Sequence, residues 1–136
     1  MGIVKDSKIL CVCTHNYFRS IITENLLIAR GYINVKSAGT ASAYLEASPS
    51  DNVLRALRNH GVKIDGYSAR SLRDSDVAWA EFILCAEDSH AVDIDNTYKT
   101  HGRLMVMGIP DGGVDNSEAV EQATDMIIDR LNEWNL

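Results

Sequence analysis

Basic side chains are scarce in the later part of the sequence. Residues 87–136 carry three lysines and arginines against eleven aspartates and glutamates, while residues 1–86 carry ten against eight, and the whole chain has a formal charge of −6. A surface of that sign repels a phosphate backbone, so no nucleic-acid partner is expected, although a small anion needs only one local basic site. Cysteine is also sparse. Cys11, Cys13 and Cys85 are an odd set, which argues against a disulfide framework. A chain of 136 residues can bury a core without one and is expected to form a single domain, 1–136. Long apolar runs are missing: ILCVC at 9–13 falls far short of the roughly 20 residues a membrane span needs, so no membrane partner is expected. A short apolar run follows Lys5 and Lys8 without a small-residue cleavage site, and Asp6 stands where a myristoylation signal at Gly2 would need Ser or Thr. The expected location is the cytoplasm. What is present is ordinary for a globular protein, with 46% hydrophobic and 24% charged residues, which speaks against disordered and fibrous classes.

Apolar runs alternate with amphipathic segments. KILCVC at 8–13, NVKSAG at 34–39, FILCA at 82–86 and RLMVM at 103–107 read as strands. Helices are expected at 18–30, with Ile22, Leu26 and Ala29 buried and Gly31 as the stop. Others are expected from Asp51, as cap, to His60, with Val53, Leu54 and Leu57 buried, at 73–79, and at about 117–134 behind Asn116 or Ser117. A helix or turn is expected from 88 to 97. The pattern predicts an α/β fold, a four-stranded parallel sheet flanked by helices on both faces. Ligands of such sheets bind at loops leaving the carboxyl ends of strands, which selects 13–19, 86–90 and 108–116.

The first of these loops reads Cys13-Thr14-His15-Asn16-Tyr17-Phe18-Arg19-Ser20. A cysteine ends a strand, an arginine follows after five intervening residues, and a helix begins. That is the recipe for a phosphate-binding loop after the first strand. Consecutive backbone N–H groups over Thr14, His15, Asn16, Tyr17, Phe18 and Arg19 converge on one anion, and the helix N-terminus adds positive potential. Arg19 offers a guanidinium fork to phosphate oxygens. The same field favours a thiolate at Cys13, which Ser20 would stabilise by donating a hydrogen bond. The plainer alternatives are a small buried hydrophobe at 13 and a helix-start arginine at 19.

These residues resemble the low-molecular-weight protein tyrosine phosphatases, which share their fold with certain arsenate reductases. Cys13, Asn16, Arg19, Ser20 and Glu24 match that family's loop and first helix. Ser37-Ala38-Gly39-Thr40, His60-Gly61-Val62, Ser68-Ala69-Arg70, residues 82–90 and Pro110-Asp111 follow in the family's order. The resemblance implies hydrolysis of a phosphomonoester, on a phosphorylated protein or a small aryl phosphate. Cys13 would be the nucleophile, Asp111 the general acid and then base, and Arg19 the stabiliser of the phosphoryl oxygens, with Asn16 and Ser20 supporting the loop. It implies no metal and no cofactor. Asp111 also reads as a plain turn residue between Pro110 and Gly112.

The departures from that family are local. His15 stands at a usual glycine, which predicts a strained, positive-φ backbone there and weakened catalysis. Phe18 replaces a second loop cysteine, Ile21 a proline, and Gly112-Gly113 a segment that usually carries aromatic side chains lining the substrate slot; Tyr17 and Tyr44 are the candidate replacements. Two rival functions stay open. Cys85 sits where an arsenate reductase has its second cysteine, but residues 86–100 hold no third. Alternatively, the loop binds phosphate or a phosphorylated partner without turnover. A metal site on Cys11, Cys13 and His15 lacks a fourth ligand. His60, His90 and His101 read as structural or exposed.

Overall fold

The computed structural model describes residues 2–41, 47–64, 67–100 and 102–136. Tyr44 and His101 lie outside the described residues. The order is β1 (Lys8–Cys13), α1 (Arg19–Ala29), β2 (Asn34–Gly39), α2 (Asp51–Asn59), α3 (Asp74–Trp79), β3 (Phe82–Cys85), α4 (Asp88–Tyr98), β4 (Leu104–Val106) and α5 (Ser117–Glu133). All pairings are parallel and the strands lie in the order β2-β1-β3-β4. A parallel sheet is covered on both faces, so its central strands need apolar residues at successive positions; β1 is buried from Ile9 through Cys13. Ile9, Cys11 and Leu84 join one core cluster with the buried faces of α1, α2 and α5. Leu10, Val12, Ile83 and Cys85 join a second, with Val77 of α3 and Ile94 of α4. Among the described residues no helix is long and apolar enough to cross a membrane.

Several local expectations shift. Ser50, not Asp51, caps α2: its backbone is extended and its Oγ accepts from the Val53 N–H at 3.2 Å. Asp51 occupies the first helical position, where its carboxylate opposes the positive end of the helix dipole. In α1 the buried set is Ile21, Ile22, Leu26 and Leu27, and Ala29 is exposed. The helix is wedged between the sheet and α5, which widens its apolar face. Gly31, at φ 97°, does end it. In α2 Ala56 replaces Leu54 in the buried set. The last strand spans only Leu104–Val106, although the Arg103 carbonyl still accepts from the Ile83 N–H and the Met107 N–H donates to the Cys85 carbonyl just beyond its ends. Asn116 caps α5 through the N–H groups of Glu118 and Ala119.

The strand order reverses direction between β1 and β3. The crevice at such a switch point lies between the loops that leave those two strands.

Candidate active site

Cys13 is the last residue of β1 and Arg19 the first of α1, so 14–18 must reverse the chain within one short loop. The left-handed backbone this requires falls on Asn16, at φ 53°, and not on His15 as expected. Asparagine tolerates that region better than most residues, so the strain assigned to His15 has no basis. Asn16 is wholly buried and held from three sides. Its Oδ1 accepts from the Arg70 N–H at 3.1 Å, its carbonyl accepts from the Tyr67 hydroxyl at 2.6 Å, and its Nδ2 donates to Ser20 Oγ at 2.7 Å. Burial pushes the Tyr67 phenol up, which keeps it a donor. Arg70 is in turn fixed by a two-pronged pair to Asp76, at 2.8 and 2.9 Å. Burial opposes the Asp76 charge, but Arg70 and the Arg73 N–H outweigh it and hold that carboxyl below its ordinary range.

Ser20 Oγ lies 3.1 Å from Cys13 Sγ. A hydroxyl has one proton to give. With the Asn16 amide donating to Ser20 Oγ, that proton is available to a thiolate at Cys13.

The loop rests on β2. Gly39 pairs with Cys13 across the sheet, and the N–H groups of Thr40 and Ala41 donate to the carbonyls of Cys13 and Thr14 at 3.0 and 2.7 Å. A Cβ on Gly39 would lie 2.7 Å from the Thr14 carbonyl oxygen, 2.8 Å from the His15 carbonyl carbon and 2.9 Å from the Asn16 nitrogen. All three are backbone atoms and cannot swing aside. Gly39→Ala is therefore expected to displace the loop, costing about 1–3 kcal/mol in stability and weakening phosphate binding. Denaturant unfolding and phosphate titration of the variant check this.

Arg19 is 2% exposed. Its Nη1 pairs with Glu87 and donates to the Ile109 carbonyl at 2.8 Å; its Nη2 donates to Thr14 Oγ1 at 3.3 Å and lies 3.7 Å from Asp111 Oδ2. One guanidinium thus ties together the three loops selected from the sequence. A cavity of about 180 Å³ opens beside it, bordered by Cys13, Thr14, His15, Tyr17, Arg19 and Asp111, with Phe18 also on its wall. Asp111 is about half exposed, and its Oδ1 accepts from the Gly113 N–H at 3.1 Å. It is both the turn residue and a neighbour of the cavity. Asn16 lies behind the loop, on a separate hollow shared with Glu24 and Ser37.

The sequence reading missed Glu87, His90, Tyr67 and Arg70 as parts of this site. Their signal was position. Glu87 and His90 fall in the selected 86–90 loop, and Arg70 in a stretch already matched to the family. Cys11 and Cys85 do not join Cys13 as a thiol relay. Val12, not Cys11, stands opposite Cys85, so Cys85 faces the far side of the sheet. Cys11 and Cys13 are two residues apart on one strand, too far for an unstrained bridge. Burial pushes the Cys85 thiol up to about 12 and the Cys11 thiol well above its ordinary value, so neither supplies a thiolate. Among the described residues no cluster of three His, Cys, Asp or Glu side chains is placed to hold a metal ion.

Comparison with known proteins agrees with this geometry. The low-molecular-weight protein-tyrosine-phosphatase Etp of Escherichia coli (strain K12) is 31% identical over 144 aligned positions, covering 98% of this chain and 96% of Etp. The tyrosine phosphatase AmsI of Erwinia amylovora has the same fold, with a TM-score of 0.86 at 24% identity over 99% of this chain and 94% of that one. The YwlE arginine phosphatase of Geobacillus stearothermophilus superposes with a TM-score of 0.80 at 26% identity, over 93% and 91% of the two chains. The family model for low molecular weight phosphotyrosine protein phosphatases matches residues 8–132. With a Cys-x5-Arg-Ser loop between β1 and α1 and a match over nearly its whole length, the chain belongs to the low-molecular-weight phosphotyrosine protein phosphatase family.

Proposed function

We propose that this protein hydrolyses aryl phosphomonoesters, with phosphotyrosine on a protein as the natural class, through a phosphocysteine formed at Cys13. One observation carries the reading: Cys13, Arg19 and Asp111 border the same cavity, with Ser20 Oγ 3.1 Å from Cys13 Sγ. The thiolate of Cys13 attacks phosphorus as the bond to the aryl oxygen breaks, and Asp111 gives that oxygen its proton. Water then attacks the phosphocysteine, Asp111 takes a proton from it, and the departing thiolate is met by the Ser20 hydroxyl. Arg19 and the backbone amides of 14–19 stabilise the phosphoryl oxygens through both steps. Because that charge is met by the protein itself, a chelator should leave the rate unchanged. Tyr17 supplies an aromatic wall for the substrate ring. A free thiol nucleophile fits a reducing compartment, so we place the protein in the cytoplasm.

Asp111 is tested by leaving-group chemistry. A nitrophenolate leaves without help, whereas phenolate needs a proton. Asp111→Asn is expected to slow phenyl phosphate about a hundredfold and p-nitrophenyl phosphate less than about tenfold. An equal loss on both substrates would assign Asp111 to the turn alone.

The reductase alternative draws no support from the placement of Cys85. A binding module without turnover has no use for a thiol set against Ser20 beneath an anion cavity.

A further inference from the structure

Thr14 borders the cavity, and its hydroxyl oxygen has two donors around it. His90 Nε2 lies 2.9 Å away, and Arg19 Nη2 donates from 3.3 Å. The His90 tautomer follows from the other side of its ring. Nδ1 accepts from the Glu87 N–H at 3.0 Å, so in the neutral imidazole the proton sits on Nε2 and is donated to Thr14. A threonine hydroxyl has two lone pairs and one proton. With donors at both lone pairs, the proton is left for a third partner, and Thr14 lines the cavity.

We infer that His90 is a positioning residue of the phosphate site: it fixes the Thr14 hydroxyl as a donor aimed at the bound phosphoryl group, adding a side-chain donor to the backbone cradle. The inference deepens the reading of the cavity as a phosphate site and rests on it. The surroundings hold the ring in the state this role requires. His90 is 2% exposed on α4. Arg19, from α1, opposes a charge on it, while Glu87 at the cap of α4, Asp93 of α4 and Asp111 of the 108–116 loop favour one. Burial and Arg19 prevail and keep the imidazole below its ordinary pKa, hence neutral.

The two ring nitrogens do different jobs, and two substitutions separate them. An asparagine amide oxygen falls near the place of Nδ1, so His90→Asn keeps the bond from the Glu87 N–H and loses the donor to Thr14. A glutamine amide nitrogen falls near Nε2, so His90→Gln keeps the donor and loses the other bond. Inorganic phosphate is the probe, its affinity measured by calorimetry beside thermal unfolding of each variant. His90→Asn is expected to unfold near the wild-type temperature yet bind phosphate roughly fivefold to tenfold more weakly. His90→Gln is expected to unfold earlier and bind phosphate within about twofold of wild type. Thr14→Val should weaken binding by roughly the same factor as His90→Asn, and the two together should do no more than either alone.

Wild-type affinity in His90→Asn, or losses that multiply in the double variant, would overturn the assignment and leave His90 as a helix cap. If His90→Asn fails to fold, Thr14→Val decides, since wild-type phosphate affinity there removes the donor itself. Because binding is read directly, the two readings fail separately: a wild type that binds phosphate but does not hydrolyse p-nitrophenyl phosphate sinks the hydrolase proposal alone, and one that does not bind phosphate overturns both.

Discussion

Cys13→Ser is expected to abolish hydrolysis of p-nitrophenyl phosphate, with a loss of about a thousandfold or more, while leaving the fold and phosphate binding in place. The oxygen is smaller than sulfur and keeps the contact with Ser20, so the core around β1 has no reason to open. What is lost is nucleophilicity. A serine hydroxyl stays protonated near neutral pH, and Ser20 Oγ, 3.1 Å from the Cys13 sulfur, can give a proton but not usefully take one. Steady-state kinetics and phosphate titration of the same preparation separate the two effects. Activity that survives the substitution would place the chemistry elsewhere.

Arg19→Ala is expected to cost about a thousandfold in kcat/KM as well, for an electrostatic reason. The guanidinium is buried between Glu87 and Asp111. Removing it deletes the cation and also leaves two carboxylates facing a dianionic substrate. KM should rise and kcat should fall, because the developing charge on the phosphoryl oxygens is stabilised by the same group. Arg19→Lys is expected to recover little. A lysine ammonium is a point charge on a flexible stem and cannot reach Glu87, the Ile109 carbonyl and Thr14 Oγ1 together. A Lys variant with near wild-type kcat/KM would show that the forked geometry is irrelevant.

Much of this architecture was legible in the residues. The strands of a parallel sheet must be apolar at successive positions, and KILCVC and FILC say so without ambiguity. Helix ends were readable to within a residue where a capping side chain stands, as at the pair Asn116 and Ser117, of which Asn116 is the cap. The cap of α2 was misplaced by one residue, read at Asp51 where Ser50 has the extended backbone, because only the backbone angle decides. The segments that carry Cys13, Arg19 and Asp111 were readable because each follows the end of an apolar strand. The supports were not. Asn16 owes its left-handed backbone to Tyr67 and Arg70, more than fifty residues away, and sequence spacing carries no such contact. The same holds for Gly39, whose missing side chain matters only because the Thr14–Asn16 backbone lies against it. His15 was singled out for its place in the loop, yet the turn falls on its neighbour.

The most direct test of the account is the identity of the phosphorylated residue during turnover. Wild-type protein is mixed with an aryl phosphate, quenched in acid within the first turnover, digested and examined by mass spectrometry. A phosphoryl group on the peptide that carries Cys13, absent from Cys13→Ser, is the result expected. Turnover with no phosphorylated intermediate, or with the phosphoryl group on another residue, would contradict the central claim.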